Sequence, residues 1–177
     1  MIDASTYDQG ETLKNGTAVR VRAVRPDDKH RIAEAFHHLE PESIYTRFFY
    51  PKKDLSPAEL KFATEVDFNK VVALVVTVGE GKEETIIAGA RYVAFGGDPP
   101  QRAEVSFTVE EDYQRQGIAG RLLRHLAEIG RENGLERFEA EVLAENRAML
   151  GVFSRSGLPM DKRFEGGTVH VTLELNA

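Results

Sequence analysis

Along residues 103–110, "AEVSFTVE", the side chains alternate in character. Val105, Phe107 and Val109 fall on one face of a predicted strand, and Glu104, Ser106 and Thr108 on the other. "AVRVRAV" (18–24) alternates in the same way and predicts a further strand. The continuous apolar run "VVALVVTV" (71–78), rich in β-branched residues, predicts a buried strand, paired with "ETIIAGARYVAF" across the turn "GEGKEE". Near the end, "FEAEVL" (138–143) and a closing pair around "MDKRFEG" and "TVHVTLEL" complete the strands.

Helical spacing fills the intervals. "RPDDKHRIAEAFHHL" (25–39) predicts a helix that starts near Pro26 and Asp27. A short helical piece is expected around "SIYTRFF" (43–49), and another in "SPAELKFATEV", opened by Ser56 and Pro57 with Glu59 in its first turn. Ile118, Leu122, Leu123, Leu126 and Ile129 recur on one helical face to about Asn133, where Gly134 stops the pattern. A last helix covers residues 145–155. Strands outnumber helices, and a strand–helix–strand unit lies at the centre. The expected fold is mixed α/β, with a mostly antiparallel sheet of six to seven strands, over one domain at 17–177 behind a lead-in at 1–16.

The helix after Gly117 starts without a Ser, Thr, Asp or Asn beside it, so its first N–H groups need another partner. A glycine-rich turn at the positive end of a helix is a ready anion site. The dinucleotide pattern GxGxxG is absent, since the turn offers only Gly117 and Gly120, and the GK[ST] of a P-loop is missing too. Spacing alone leaves open a plain tight turn with solvated arginines.

Composition narrows the classes. The chain has 177 residues, 41% of them hydrophobic, and no apolar run of the roughly 20 residues that a bilayer span needs. "MIDASTYDQGETLKNG" carries no export pattern, so a cytoplasmic location is expected. With no cysteine, disulfides, thiolate zinc sites and a cysteine acyl-enzyme are excluded. A net charge of −6 argues against general nucleic-acid affinity and suits a cationic substrate. The five histidines show no metal spacing, so no metal is expected.

Gln114, Arg115, Gln116, Gly117, Ile118 and Ala119 fit a Q/R-x-x-G-x-G/A signature, and this stretch resembles the GNAT superfamily of N-acetyltransferases. The resemblance implies that the turn holds the pyrophosphate of acetyl-CoA through backbone N–H groups of Gln116, Gly117, Ala119 and Gly120, with help from Arg115 or Arg121. Ala119 stands where the second glycine is usual. "LAENRAMLGVFSRSGLP" (143–159) resembles the family's second cofactor segment, which implies a pantetheine contact for Asn146; on local grounds Asn146 is equally a helix cap. Phe107, Thr108 and Val109 would pair with the pantetheine as an added strand does. "LEPESIYTRFFYPKKDLSPAEL" and "VDFNKVVALV" resemble the acetyltransferase domain of bacterial protein lysine acetyltransferases. The expected acceptor is therefore a protein lysine, or else a small-molecule amine, and the rival of another class is a non-catalytic acyl-CoA-binding sensor module; no nucleic acid or membrane is expected, and a homo-oligomer is left open. An attached regulatory module is not expected within 177 residues. Arg47, Phe48 and Phe49 could frame the substrate mouth, although packing suits the two aromatics better.

Acetyl transfer from a thioester requires a neutral amine, so a base must take a proton from a lysine of pKa about 10.4. "AEVSF" resembles the family's base-bearing strand, which implies that role for Glu104; without the resemblance Glu104 reads as a solvated strand glutamate. Glu139 and Glu141 are second choices, and Glu110, Glu111 and Asp112 read as a solvated turn. A backbone N–H of residues 107–109 would meet the developing oxyanion. Where many relatives place a tyrosine to protonate the leaving thiolate, this chain has Phe153, leaving Tyr92, Tyr45, water or no acid at all.

Overall fold

The computed structural model describes residues 3–39, 54–110, 113–114 and 116–176. The strands are β1 (Asp8–Thr12), β2 (Ala18–Ala23), β3 (Val71–Val78), β4 (Thr85–Phe95), β5 (Arg102–Val109), β6 (Arg137–Leu143), β7 (Met160–Glu165) and β8 (Thr168–Glu174). The helices are α1 (Lys29–His37), α2 (Pro57–Thr64), α3 (Ile118–Glu132) and α4 (Arg147–Ser154). The strands form one eight-stranded sheet in the order β1-β2-β3-β4-β5-β6-β8-β7. All neighbours are antiparallel except β5 and β6. The mixed α/β fold and its central strand–helix–strand unit are as the pattern predicts, with one strand more than the upper expectation. The short helix expected at 43–49, with Tyr45, Arg47, Phe48 and Phe49, lies outside the described residues.

Within the expected lead-in, residues 8–12 form an edge strand of the sheet. β1 pairs with β2 from Asp8↔Arg22 to Thr12↔Ala18, and Ala4, Tyr7 and Leu13 are buried in the main core. The strand "DQGET" carries no apolar alternation because it sits at the sheet edge with mostly exposed side chains.

Alternation sorts the two faces. Ala103 and Val105 on β5, Phe138, Ala140 and Val142 on β6, and Val169, Val171 and Leu173 on β8 are buried in one cluster with the apolar face of α3. The opposite face meets α1 through Val24, Ala73, Val75 and Ile86, against which Ile32 and Ala35 pack. α3 carries Ile118, Leu122, Leu123, Leu126 and Ile129 buried, and ends at an Asn133 cap followed by Gly134 at φ +89°. A left-handed glycine just past the last turn is the expected stop.

Candidate active site

β5 and β6 pair in parallel only through Arg102↔Arg137, Ala103↔Phe138 and Glu104↔Glu139. Beyond that point residues 105–109 pair only with β4, and residues 140–143 only with β8. The two strands therefore splay, leaving a wedge with a free backbone edge on each side. The edge of residues 105–109 is about 16 Å long at a strand's rise per residue. An extended chain with its own amide groups could pair with either edge, as an added strand does.

α3 begins at the wide end of the wedge, because it follows the carboxyl end of β5 and leads back to the start of β6. Gly117 caps it in the left-handed region, at φ +78°, with no side-chain cap. The first intrahelical bond runs from Arg121 N–H to Gly117 C=O at 3.1 Å, so the N–H groups of Ile118, Ala119 and Gly120 point out of the helix end. A Cβ on Gly120 would meet nothing within 4 Å, so this glycine borders open space. The side-chain oxygen of Gln116 is buried without a partner, leaving an unpaired polar atom at the turn. Gln114 donates from Nε2 to the Val109 carbonyl at 3.1 Å and ties the turn to β5. Free N–H groups, a positive helix end and open space fit a phosphate. Arg115, Glu111 and Asp112 lie outside the described residues.

Glu104 lies at the narrow end of the wedge, exposed, on the face away from α3, with Val93 and Glu139 as its cross-strand neighbours. The buried carboxylate that the chemistry suggests is not what this strand displays. Glu139 and Glu141 share its face, but both are engaged. The ring of His170 meets Glu141 through Nδ1 and Glu139 through Nε2 at 2.9 Å, and Arg102 meets Glu139 at 3.3 Å. Carboxylates only accept, so these two contacts favour the ring with both nitrogens protonated. The bond to Glu141, reinforced by Glu139, raises its pKa above the ordinary histidine value despite the opposing effect of burial. Glu104, unlike Glu139 and Glu141, has no ion pair among the described residues.

Beside Glu104 the same face opens into an apolar cavity of about 510 Å³ between α1, α2 and strands β3, β4 and β5. Its walls include Phe36, Phe62, Ile86, Ser106 and Thr108, with Glu59 and Glu110 among the acidic lining groups. The Arg91 guanidinium stacks 4.3 Å from the centre of the Phe62 ring and donates to the Phe62 carbonyl at 3.1 Å, joining α2 to β4. Glu110, read from sequence as part of a solvated turn, lines this cavity with a side chain only 12% exposed. Its signal was the period of two, carried one step past the end of β5.

Other sequence candidates fall into place unevenly. Phe153, expected among the cofactor-binding residues, is buried and meets Phe107 edge to face at 6.0 Å. Asn146 caps α4 by accepting from the Met149 N–H at 3.2 Å, near the carboxyl end of β6. Tyr92 cannot serve as the acid. It is buried on the α3 face, and its hydroxyl accepts from Asn133 at 3.4 Å, at the opposite end of α3 from the glycine turn. His170 was missed because its role depends on strand register, which the sequence does not display.

Comparison with known proteins agrees with this geometry. The profile of the Acetyltransferase (GNAT) family matches residues 32–158. An acetyltransferase of Pseudomonas aeruginosa is 32% identical over 139 residues, covering 78% of this chain and 74% of its own length. The acetyltransferase Pat of Mycolicibacterium smegmatis is 34% identical over 145 residues, which are 82% of this chain and 42% of that protein. The crystal structure of the GNAT domain of S. lividans PAT superposes with a TM-score of 0.87 at 35% identity, covering 94% of this chain and 96% of that one. The chain belongs to the GNAT acetyltransferase family, and it is an N-acetyltransferase. It spans less than half the length of the mycobacterial relative.

Proposed function

We propose that this enzyme transfers the acetyl group of acetyl-CoA directly to the amine of a protein lysine, with Glu104 as the general base. The observation that carries the reading is one alignment of parts: an uncapped helix end at the wide mouth of a parallel-strand wedge, and an unpaired carboxylate at its narrow end. Acetyl-CoA supplies the thioester. The N–H groups of Ile118, Ala119 and Gly120 would hold its pyrophosphate, and the free edges of residues 105–109 and 140–143 its pantetheine arm. An N–H of the β5 edge would stabilise the developing oxyanion. Glu104 takes the ammonium proton, directly or through water, in a spot that the two bound substrates would cover.

The acceptor side suits a lysine. An apolar stem ending in a cation matches an apolar cavity that carries carboxylates at Glu59 and Glu110. The resemblance of "LEPESIYTRFFYPKKDLSPAEL" and "VDFNKVVALV" to bacterial protein lysine acetyltransferases supports the same acceptor class. The cavity volume of about 510 Å³ also accommodates a free amine, so a small-molecule acceptor is the second reading. Incubation with acetyl-CoA and either purified proteins or an amine panel, read by mass spectrometry and thiol release, tests both. Acetyl-lysine in proteins at rates above any amine supports the first. Transfer confined to amines supports the second, and thiol release no faster than the blank makes the protein a binding module.

A further inference from the structure

The hairpin between β1 and β2 reaches the end of α3. Its tip is closed by Leu13 N–H to Thr17 C=O and Gly16 N–H to Leu13 C=O, both at 2.9 Å, with Gly16 at φ +90°. Leu13 is buried in the core cluster that includes α3, which fixes where the tip lies. Lys14 follows it on the exposed side. A Cβ placed on Gly117 would lie 3.6 Å from Cε and 3.9 Å from Nζ of Lys14, so the ammonium stands beside the left-handed glycine that starts α3.

A polar cluster around the buried His125 holds the hairpin there. Glu11 on β1 meets Arg121, Arg124 and His125, all on the first half of α3. His125 is 2% exposed, and its other ring nitrogen meets the hydroxyl of Tyr7. Burial, with the nearby Glu128 and Glu11 charges, pushes the Tyr7 pKa up to about 12, so the hydroxyl stays neutral and can donate to Nδ1 while Nε2–H donates to Glu11. Glu11 thus occupies the cations of α3 nearest the turn. Lys14 has no carboxylate partner among the described residues.

Resting on the reading of the glycine turn as the pyrophosphate site, we infer that Lys14 is a second, side-chain contact for that pyrophosphate, delivered by the N-terminal hairpin. The backbone N–H groups fix the anion's position, and the lysine adds a flexible point charge over it. Glu11, His125 and Tyr7 are positioning residues for this contact. They set where the hairpin tip lies and do not themselves meet the ligand.

Calorimetry with Lys14→Gln tests the inference on a surface position whose loss leaves the fold intact. Acetyl-CoA affinity should fall about three- to tenfold at low salt, in the range of a partly exposed charge-assisted contact. The same loss is expected with dephospho-acetyl-CoA, which keeps the pyrophosphate, and none with S-acetylpantetheine, which lacks it. Lys14→Arg should retain most of the affinity. An unchanged affinity for acetyl-CoA, a loss that vanishes with the dephospho ligand, or an equal loss with S-acetylpantetheine would each overturn it. Gly120→Val, measured in parallel, separates the two readings. If it leaves affinity intact, the turn is not the phosphate site; if it weakens binding while Lys14→Gln does not, only the lysine contact fails.

Discussion

Gly117 and Gly120 are both turn glycines in the sequence, but they do different work. Gly117 sits at φ +78°, so any side chain there strains the backbone before a ligand is considered. Gly120 is helical with nothing near its absent Cβ, so Gly120→Val should leave thermal stability unchanged or slightly higher. Its acetyl-CoA affinity should nevertheless drop at least tenfold, because the new side chain fills the space at the helix end. Calorimetry beside a melting curve checks both halves. The carboxylates show a similar division. Alternation alone puts Glu104, Glu139 and Glu141 on one face; the register shows that His170 and Arg102 hold Glu139. Glu139→Gln should therefore cost turnover less than tenfold, measured as initial rate at saturating acetyl-CoA. The sequence made Glu104 legible and left this choice open, because pairing between distant strands is not written in local spacing.

At the scale of elements, α3 was legible and β1 was not. Five apolar positions at helical spacing and a terminal glycine define α3, whereas β1 is recognised only by what it pairs with. A second non-local device seats α1 on the sheet. Arg22 on β2 meets Asp28, before α1, at 2.8 and 2.9 Å and Glu84, before β4, at 3.2 Å. Asp28 is fully buried and also accepts from the Arg25 N–H at 2.7 Å. Burial alone would raise its pKa, but the bonds from Arg22 and Arg25 outweigh it and hold the carboxyl below its ordinary range. The stabilisation is therefore complete above the ordinary carboxylate pKa of about 4 and is lost as pH falls through the depressed value. Asp28→Ala should cost about 3 kcal/mol in denaturant unfolding at neutral pH, because it takes from a buried guanidinium its bidentate carboxylate and leaves it only the Glu84 carboxylate. Acetyl-CoA affinity should change little, since α3 and the wedge lie on the other side of the sheet.

His170 gives the opposite sign. Its pKa is raised by Glu141 and Glu139, so the tie between β6 and β8 is complete below the ordinary histidine pKa of about 6.5 and fades as pH rises through the raised value. Melting temperature should decline across that alkaline window in the native chain, and His170→Gln should flatten the decline. An unchanged slope in the variant would place the titrating group elsewhere.

For the whole molecule, the proposed reading puts the two substrates on opposite faces of the sheet. Acetyl-CoA would take the wedge and the glycine turn, the acceptor would take the apolar cavity on the α1 and α2 side, and Glu104 would stand between them. No cysteine exists to carry an acetyl group, and the proposed reaction passes it directly between two bound substrates. Initial-rate plots with both substrates varied should intersect; parallel lines with an isolable acetyl-enzyme would contradict direct transfer. The central claim is tested most directly by Glu104→Gln, with turnover and acetyl-CoA affinity measured on the same preparation. The substitution keeps size and removes the basic charge, so turnover at neutral pH should fall about 10²–10⁴-fold with affinity nearly unchanged. Raising the pH should restore part of the rate, as solvent then supplies more neutral amine, and the acidic limb of the native profile should disappear. A variant with near-native turnover and the same acidic limb would show that Glu104 is not the base.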